Sequence, residues 1–119
     1  MVTLTRRRAT AAEQAAATHA FLSALIDLDE AGTDDAHARY ELPSTVDQRC
    51  WGAIVSGLLA SGIIRRVGDR HTSRRIAHGR RIGRYRLIDR EQAIAMRDRL
   101  AASAARQRDR QPALPGIDS

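Results

Sequence analysis

Between Ile63 and Leu87 the chain sets nine arginines, Arg65, Arg66, Arg70, Arg74, Arg75, Arg80, Arg81, Arg84 and Arg86, with His71, Thr72, Ser73 and His78 among them. Each guanidinium is a planar, permanently charged fork that can grip a phosphate through two hydrogen bonds, and the hydroxyls and imidazoles add further donors. The chemistry on offer is the binding of a polyanion. A second constellation lies upstream, where Thr45, Arg49, Gly52 and Ser56 recur at helical spacing with Gln48 at their edge and Ser44 just ahead. Arg and Gln are the side chains that can hydrogen-bond a planar edge in two places at once.

Other chemistries lack their residues. No lysine occurs in the chain, so none can act as a base or Schiff-base former, and neither a phosphate-cradling loop ending in Gly-Lys nor a serine-centred elbow is present. The expectation is a protein that is not an enzyme. His37, His71, His78 and Cys50 do not form the closely spaced pairs of a zinc site, and no calcium-loop glycine and glutamate follow Glu30, Asp34 and Asp35. No metal and no cofactor are expected. The exclusive use of arginine is what a GC-rich codon bias produces, and alone it indicates no mechanism.

Charge is segregated along the chain. The net charge is +6, yet residues 9 to 62 hold two arginines against eight acids, while residues 63 to 90 hold ten arginines against Asp69 and Asp89. Such a concentration calls either for an external partner or for pairing with the acidic N-terminal half. Arginines on a hairpin tip reach a distant helix poorly, which favours the partner. The single cysteine fits a reducing, cytoplasmic setting. The apolar run from Ala53 to Ile64 is too short and too often interrupted to span a bilayer, and no export signal is read at the N-terminus.

These residues must be positioned by local elements that the pattern predicts. Thr10-Ala-Ala-Glu13 is a capping box opening a first helix, with Ala17, Phe21, Leu25 and Leu28 on its apolar face and Gly32 at its end. Thr33 caps a short second helix to about Tyr40, and Glu41-Leu-Pro43 is a turn. Ser44-Thr-Val-Asp47 opens a third helix from Thr45 to Ala60, whose packed arc holds Val46, Cys50, Trp51, Ile54, Val55, Leu58 and Leu59. A strand over Ile63 to Val67 turns at Gly68-Asp69 into a 15-residue loop ending at Ile82. The partner strand is Gly83 to Ile88, with Tyr85 and Leu87 inward and Arg84 and Arg86 outward. A last helix starts at Asp89, with Ala93, Met96, Leu100 and Ala104 on one stripe that can dock on the first helix.

The fold class expected is mainly α with a small β-hairpin, an α+β chain. The order of its elements resembles the winged helix-turn-helix family of DNA-binding domains. Residues that carry the resemblance are Pro43-Ser44, the run Trp51 to Ile64 and the basic hairpin from Arg65 to Arg86. A looser likeness to small phage and mobile-element proteins lies in Ser73-Arg-Arg-Ile-Ala-His-Gly79 and Arg84-Tyr-Arg-Leu87. The resemblance implies a three-helix core, a two-stranded wing and a C-terminal helix. It divides the chain into a basic arm (1–9), the domain (10–88), the last helix (89–108) and a tail (109–119).

It further implies double-stranded DNA as partner, with the third helix in the major groove and the wing on the backbone. The helix contacts fall on Ser44, Thr45, Gln48, Arg49, Gly52 and Ser56, and the wing contacts on Arg70, His71, Thr72, Ser73, Arg74, Arg75, His78, Arg80 and Arg81. Arg49 can read guanine or simply touch phosphate, and Gly52 can admit DNA or serve packing; both pairs stay open. The roles implied are transcription regulation, replication or recombination at the nucleoid, with a homodimer formed through the alanine-rich first and last helices. A winged-helix module for protein interaction or RNA binding is the alternative, although few aromatic rings are present for stacking single-stranded bases.

Overall fold

The computed structural model describes residues 8 to 71 and 81 to 110. In chain order the elements are α1 (Ala11–Leu28), β1 (Glu30–Ala31), α2 (Thr33–Arg39), α3 (Gln48–Ala60), β2 (Ile64–His71), β3 (Arg81–Leu87) and α4 (Arg90–Arg110). The chain is thus mainly helical with a small antiparallel sheet of order β1-β3-β2, an α+β fold. The sheet has three strands where a two-stranded hairpin was expected. Glu30 and Ala31, too short to signal a strand by alternation, pair with Arg86 and Tyr85.

The capping box of α1 forms as the sequence dictates: Thr10 Oγ1 accepts from the Glu13 amide at 3.1 Å and Glu13 Oε1 accepts from the Thr10 amide at 2.9 Å. The helix stops before Gly32. Asp29 takes the left-handed C-cap (φ 72°), a conformation that a short polar side chain tolerates, and its amide donates to the Leu25 carbonyl at 2.7 Å. This early exit frees the next two residues for β3, and the Leu87 amide donates to the Asp29 carbonyl. Gly32 instead precedes α2, its amide donating to Asp35 Oδ2 at 2.8 Å, so Thr33 is a helix residue and not the cap.

The third helix begins three residues later than the sequence suggests. Residues 43 to 46 close a turn, the Val46 amide donating to the Pro43 carbonyl, and Asp47 caps α3 by accepting from the Cys50 amide at 3.1 Å. Ser44, Thr45 and Val46 therefore lie outside the helix. Its end obeys the pattern: Gly62 takes φ 75°, its amide donates to the Leu59 carbonyl, and the Ile63 amide donates to the Leu58 carbonyl. That pair of bonds is a Schellman closure, with Leu58 and Ile63 both buried beside it.

Gly68-Asp69 does not turn the chain. Val67 is left out of the ladder as a bulge between Arg66 and Gly68, and β2 continues to His71, opposite Arg81. A bulge absorbs the kink that the glycine announces, so both strands run further than Val67 and Gly83 suggested. Gly83 has its own reason. A Cβ there would stand 2.6 Å from the Tyr85 hydroxyl, because the Tyr85 ring folds back along the strand over it.

That ring belongs to the core. Phe21, fully buried on α1, receives Trp51 of α3 edge-on at 5.8 Å and Tyr85 of β3 at 6.1 Å, while His37 of α2 meets Trp51 at 5.5 Å. Around these rings pack Leu22, Leu25, Ile54, Leu58, Ile63, Ile64 and Leu87. Leu59, placed on the packed arc by the pattern, is 39% exposed. Helix α4 joins the same core along α1: Ala93 is fully buried, with Met96 and Leu100 partly buried against it. Asp89 caps it through the Gln92 amide at 3.0 Å.

Replacing Gly83 by alanine is expected to push Tyr85 off Phe21 and lower stability by about 1–3 kcal/mol, the usual cost of overpacking; an unshifted urea midpoint would refute the constraint. His37→Leu removes the acceptor of the Trp51 indole N–H, which donates to His37 Nε2 at 2.8 Å. A loss of about 1–3 kcal/mol is expected. The fluorescence of Trp51, the one tryptophan of the chain, reads both unfolding transitions directly.

Candidate nucleic-acid interface

Helix α3 carries the two-sided pattern that a reading helix needs. Cys50, Trp51, Ile54, Val55 and Leu58 are buried, and Gln48, Arg49, Gly52, Ala53, Ser56 and Gly57 are exposed. Of the residues expected to line this face, Gln48, Arg49, Gly52 and Ser56 occupy it together, with Gln48 and Arg49 in the first turn. A Cβ on Gly52 or on Gly57 would meet nothing within 4 Å, so no internal contact requires either glycine. Both nevertheless carry the cost of a glycine inside a helix, about 1 kcal/mol relative to alanine.

The other two residues of the set are placed differently. Ser44 is exposed in the turn ahead of α3. Thr45 is buried, and its hydroxyl donates to Glu13 Oε1 at 2.9 Å, tying the turn to the capping box of α1. Its hydroxyl and its position are used for that joint, which the helical wheel could not reveal because Thr45 precedes the helix.

In the hairpin, Arg70 and His71 end β2 and Arg81 begins β3. Thr72, Ser73, Arg74, Arg75, His78 and Arg80 lie outside the described residues. At its base the arginines divide into two kinds. Arg84 donates to Asp35 at 3.0 Å and lies 3.5 Å from Glu30; Arg86 donates to Glu30 at 3.3 Å; Arg90 donates to Asp29 at 3.0 Å and to the Ile26 carbonyl. Arg39 pairs with Asp27. The acids of the N-terminal half thus do take up basic residues next to the sheet, the less favoured of the two readings of the charge pattern. The reason is β1, which brings Glu30 beside β3. By contrast, Arg49 and Arg65 are exposed and make no ion pair or side-chain hydrogen bond with a described residue.

Among the described residues no group of three His, Cys, Asp or Glu side chains comes together to hold a metal ion, and no helix is long and apolar enough to cross a membrane. Part of the alanine surface considered for a dimer is used within the chain, where α1 and α4 pack on each other. Arg65 is an exposed cation outside the contacts expected from the sequence; the available signal was its place in a strand beside the buried Ile64. No family model, curated protein or solved structure matches the chain.

Cys50 lies on the buried side of α3, next to Arg49 in the sequence. Burial pushes its thiol up from the ordinary value, and the carboxylates of Asp47 and Glu13 push it the same way. A thiol raised in the folded state contributes stability below the unfolded range near about 8.5, and that contribution is lost as pH rises through the folded value. The folded chain is expected to react with an aromatic disulfide several-fold more slowly than the urea-unfolded chain at the same pH. Its unfolding midpoint should fall at alkaline pH more steeply than that of Cys50→Ala. Equal labelling rates would refute the burial.

Proposed function

We propose that this chain is a double-stranded DNA-binding protein of winged helix-turn-helix architecture. In this reading the exposed face of α3 lies in the major groove and the β2–β3 hairpin follows the phosphate backbone. The order helix, short strand, helix, helix, then a hairpin whose returning strand pairs with the short one, supports the architecture. The observation that carries the function is the pairing of Gln48 with Arg49, exposed in the first turn of α3, while the opposite face of that helix is the core. A helix held rigidly from behind can present such side chains at a fixed angle. Arg49 is suited to a guanine edge and Gln48 to an adenine edge, and the unobstructed surface at Gly52 and Gly57 lets a groove floor or wall come close.

The hairpin supplies affinity in this reading, since phosphate contacts position a protein without reading sequence. Transcription control, replication or recombination, at the nucleoid of the cytoplasm and in the manner of small phage or mobile-element proteins, are the processes such a protein would serve.

The test is a mobility shift on duplex DNA across salt concentrations. About five phosphate contacts predict a log–log slope near −4 to −5, at roughly −0.9 per contact. Arg49→Ala should cost about 1–3 kcal/mol on a duplex selected from a random pool and less on random duplex. Equal losses on both would remove α3 as the reader. Absence of binding at low salt, or preference for duplex RNA, would overturn the proposal.

A further inference from the structure

The outer face of the sheet carries a row of charges that belongs neither to α3 nor to the distal hairpin. The register sets Glu30 of β1 opposite Arg86 of β3, and Arg86 opposite Arg65 of β2. The neighbouring pair, Ile64 and Leu87, is buried, so alternation along the strands puts Arg65 and Arg86 on the opposite, outward side. Arg84, two residues before Arg86, shares that side, where Asp35 and Glu30 hold it. Three guanidinium groups therefore meet two carboxylates.

The imbalance is local. Glu30 and Asp35 both contact Arg84, Arg86 reaches Glu30 through a single nitrogen at 3.3 Å with its side chain 49% exposed, and Arg65 has no acidic partner among the described residues. Like charges directly opposite on adjacent strands repel, with Cβ atoms about 4.5–5.5 Å apart. At that separation two guanidinium groups can close on the two free oxygens of one phosphodiester, and each such bond is charge-assisted. An anion between them would turn the repulsion into two attractions.

We propose that Arg65 and Arg86 form a phosphate clasp on the outer face of the sheet, a contact to the backbone of duplex DNA additional to α3 and to the distal hairpin. The choice of DNA as the source of the phosphate rests on the proposed function; the clasp rests on the strand register and the unbalanced charges. Glu30 has a second role in this arrangement, since by holding Arg86 at one nitrogen it orients the fork and leaves its remaining donors for the phosphate.

The experiment is the salt dependence of duplex binding by the full chain carrying Arg65→Gln, Arg65→Lys or Arg86→Gln. Arg65 is exposed and pairs with no described acid, so Arg65→Gln is expected to fold with an unchanged urea midpoint and to flatten the log–log slope by about 0.9. Arg65→Lys should restore most of the slope, because the charge is kept. Arg86→Gln should flatten the slope by a similar amount, and the double variant Arg65→Gln/Arg86→Gln by no more than a single phosphate contact would, since the one phosphate is held only when both forks close on it. A wild-type slope in folded Arg65→Gln overturns the clasp and leaves the proposed function standing. A wild-type chain that binds no duplex overturns both.

Discussion

The edge-on contact of Trp51 and Tyr85 with Phe21 is the constraint on which the rest of the architecture depends. Phe21 comes from α1, Trp51 from α3 and Tyr85 from β3, so a single buried ring fixes the helix with the exposed polar strip relative to the returning strand of the basic hairpin. His37 extends the contact to α2 through the Trp51 indole N–H. In a chain with 3% aromatic residues, nearly all of its large rings are spent at this junction. Aromatic pairs contribute about 0.5–1.5 kcal/mol beyond their buried area, and their geometry is directional in a way that aliphatic packing is not.

Around this junction, polar contacts set the positions of segments that the apolar core leaves free. Glu13 caps α1 and also accepts from Thr45, so the start of the first helix holds the turn that precedes the third. Asp29 ends α1 in a left-handed conformation, and it accepts from the Leu87 amide with its carbonyl and from Arg90 with its side chain. These are partly exposed contacts, and individually such pairs contribute about 0–1 kcal/mol. Their effect is on register: the two residues of β1 can pair with β3 only because α1 stops where it does.

The same contacts sort the arginines. Arg39, Arg84 and Arg90 are paired with N-terminal acids and become structural, Arg86 is held by Glu30 through one nitrogen only, and Arg49 and Arg65 pair with no described acid. Net charge alone cannot separate the two kinds. It takes the short strand β1, which carries Glu30 to the sheet, to convert part of a basic segment into internal ion pairs.

Contacts between near neighbours along the chain were legible in the sequence. The Thr10 capping box, the start of α4 at Asp89, the glycine closure of α3 at Gly62 and the two-sided character of α3 all rest on residues three to five apart, where helical geometry alone decides the contact. The mainly helical class with a small antiparallel sheet came from the same patterns. Tertiary structure alone decided the third strand, the continuation of β2 past Gly68 through a bulge, the removal of Thr45 from the exposed set and the pairing of Arg84 with Asp35. Nearly all of these join residues distant in sequence. Glu30 and Arg86, or Glu13 and Thr45, carry no signal of one another until the core has brought their backbones together, and which polar groups remain free for a partner depends on those meetings.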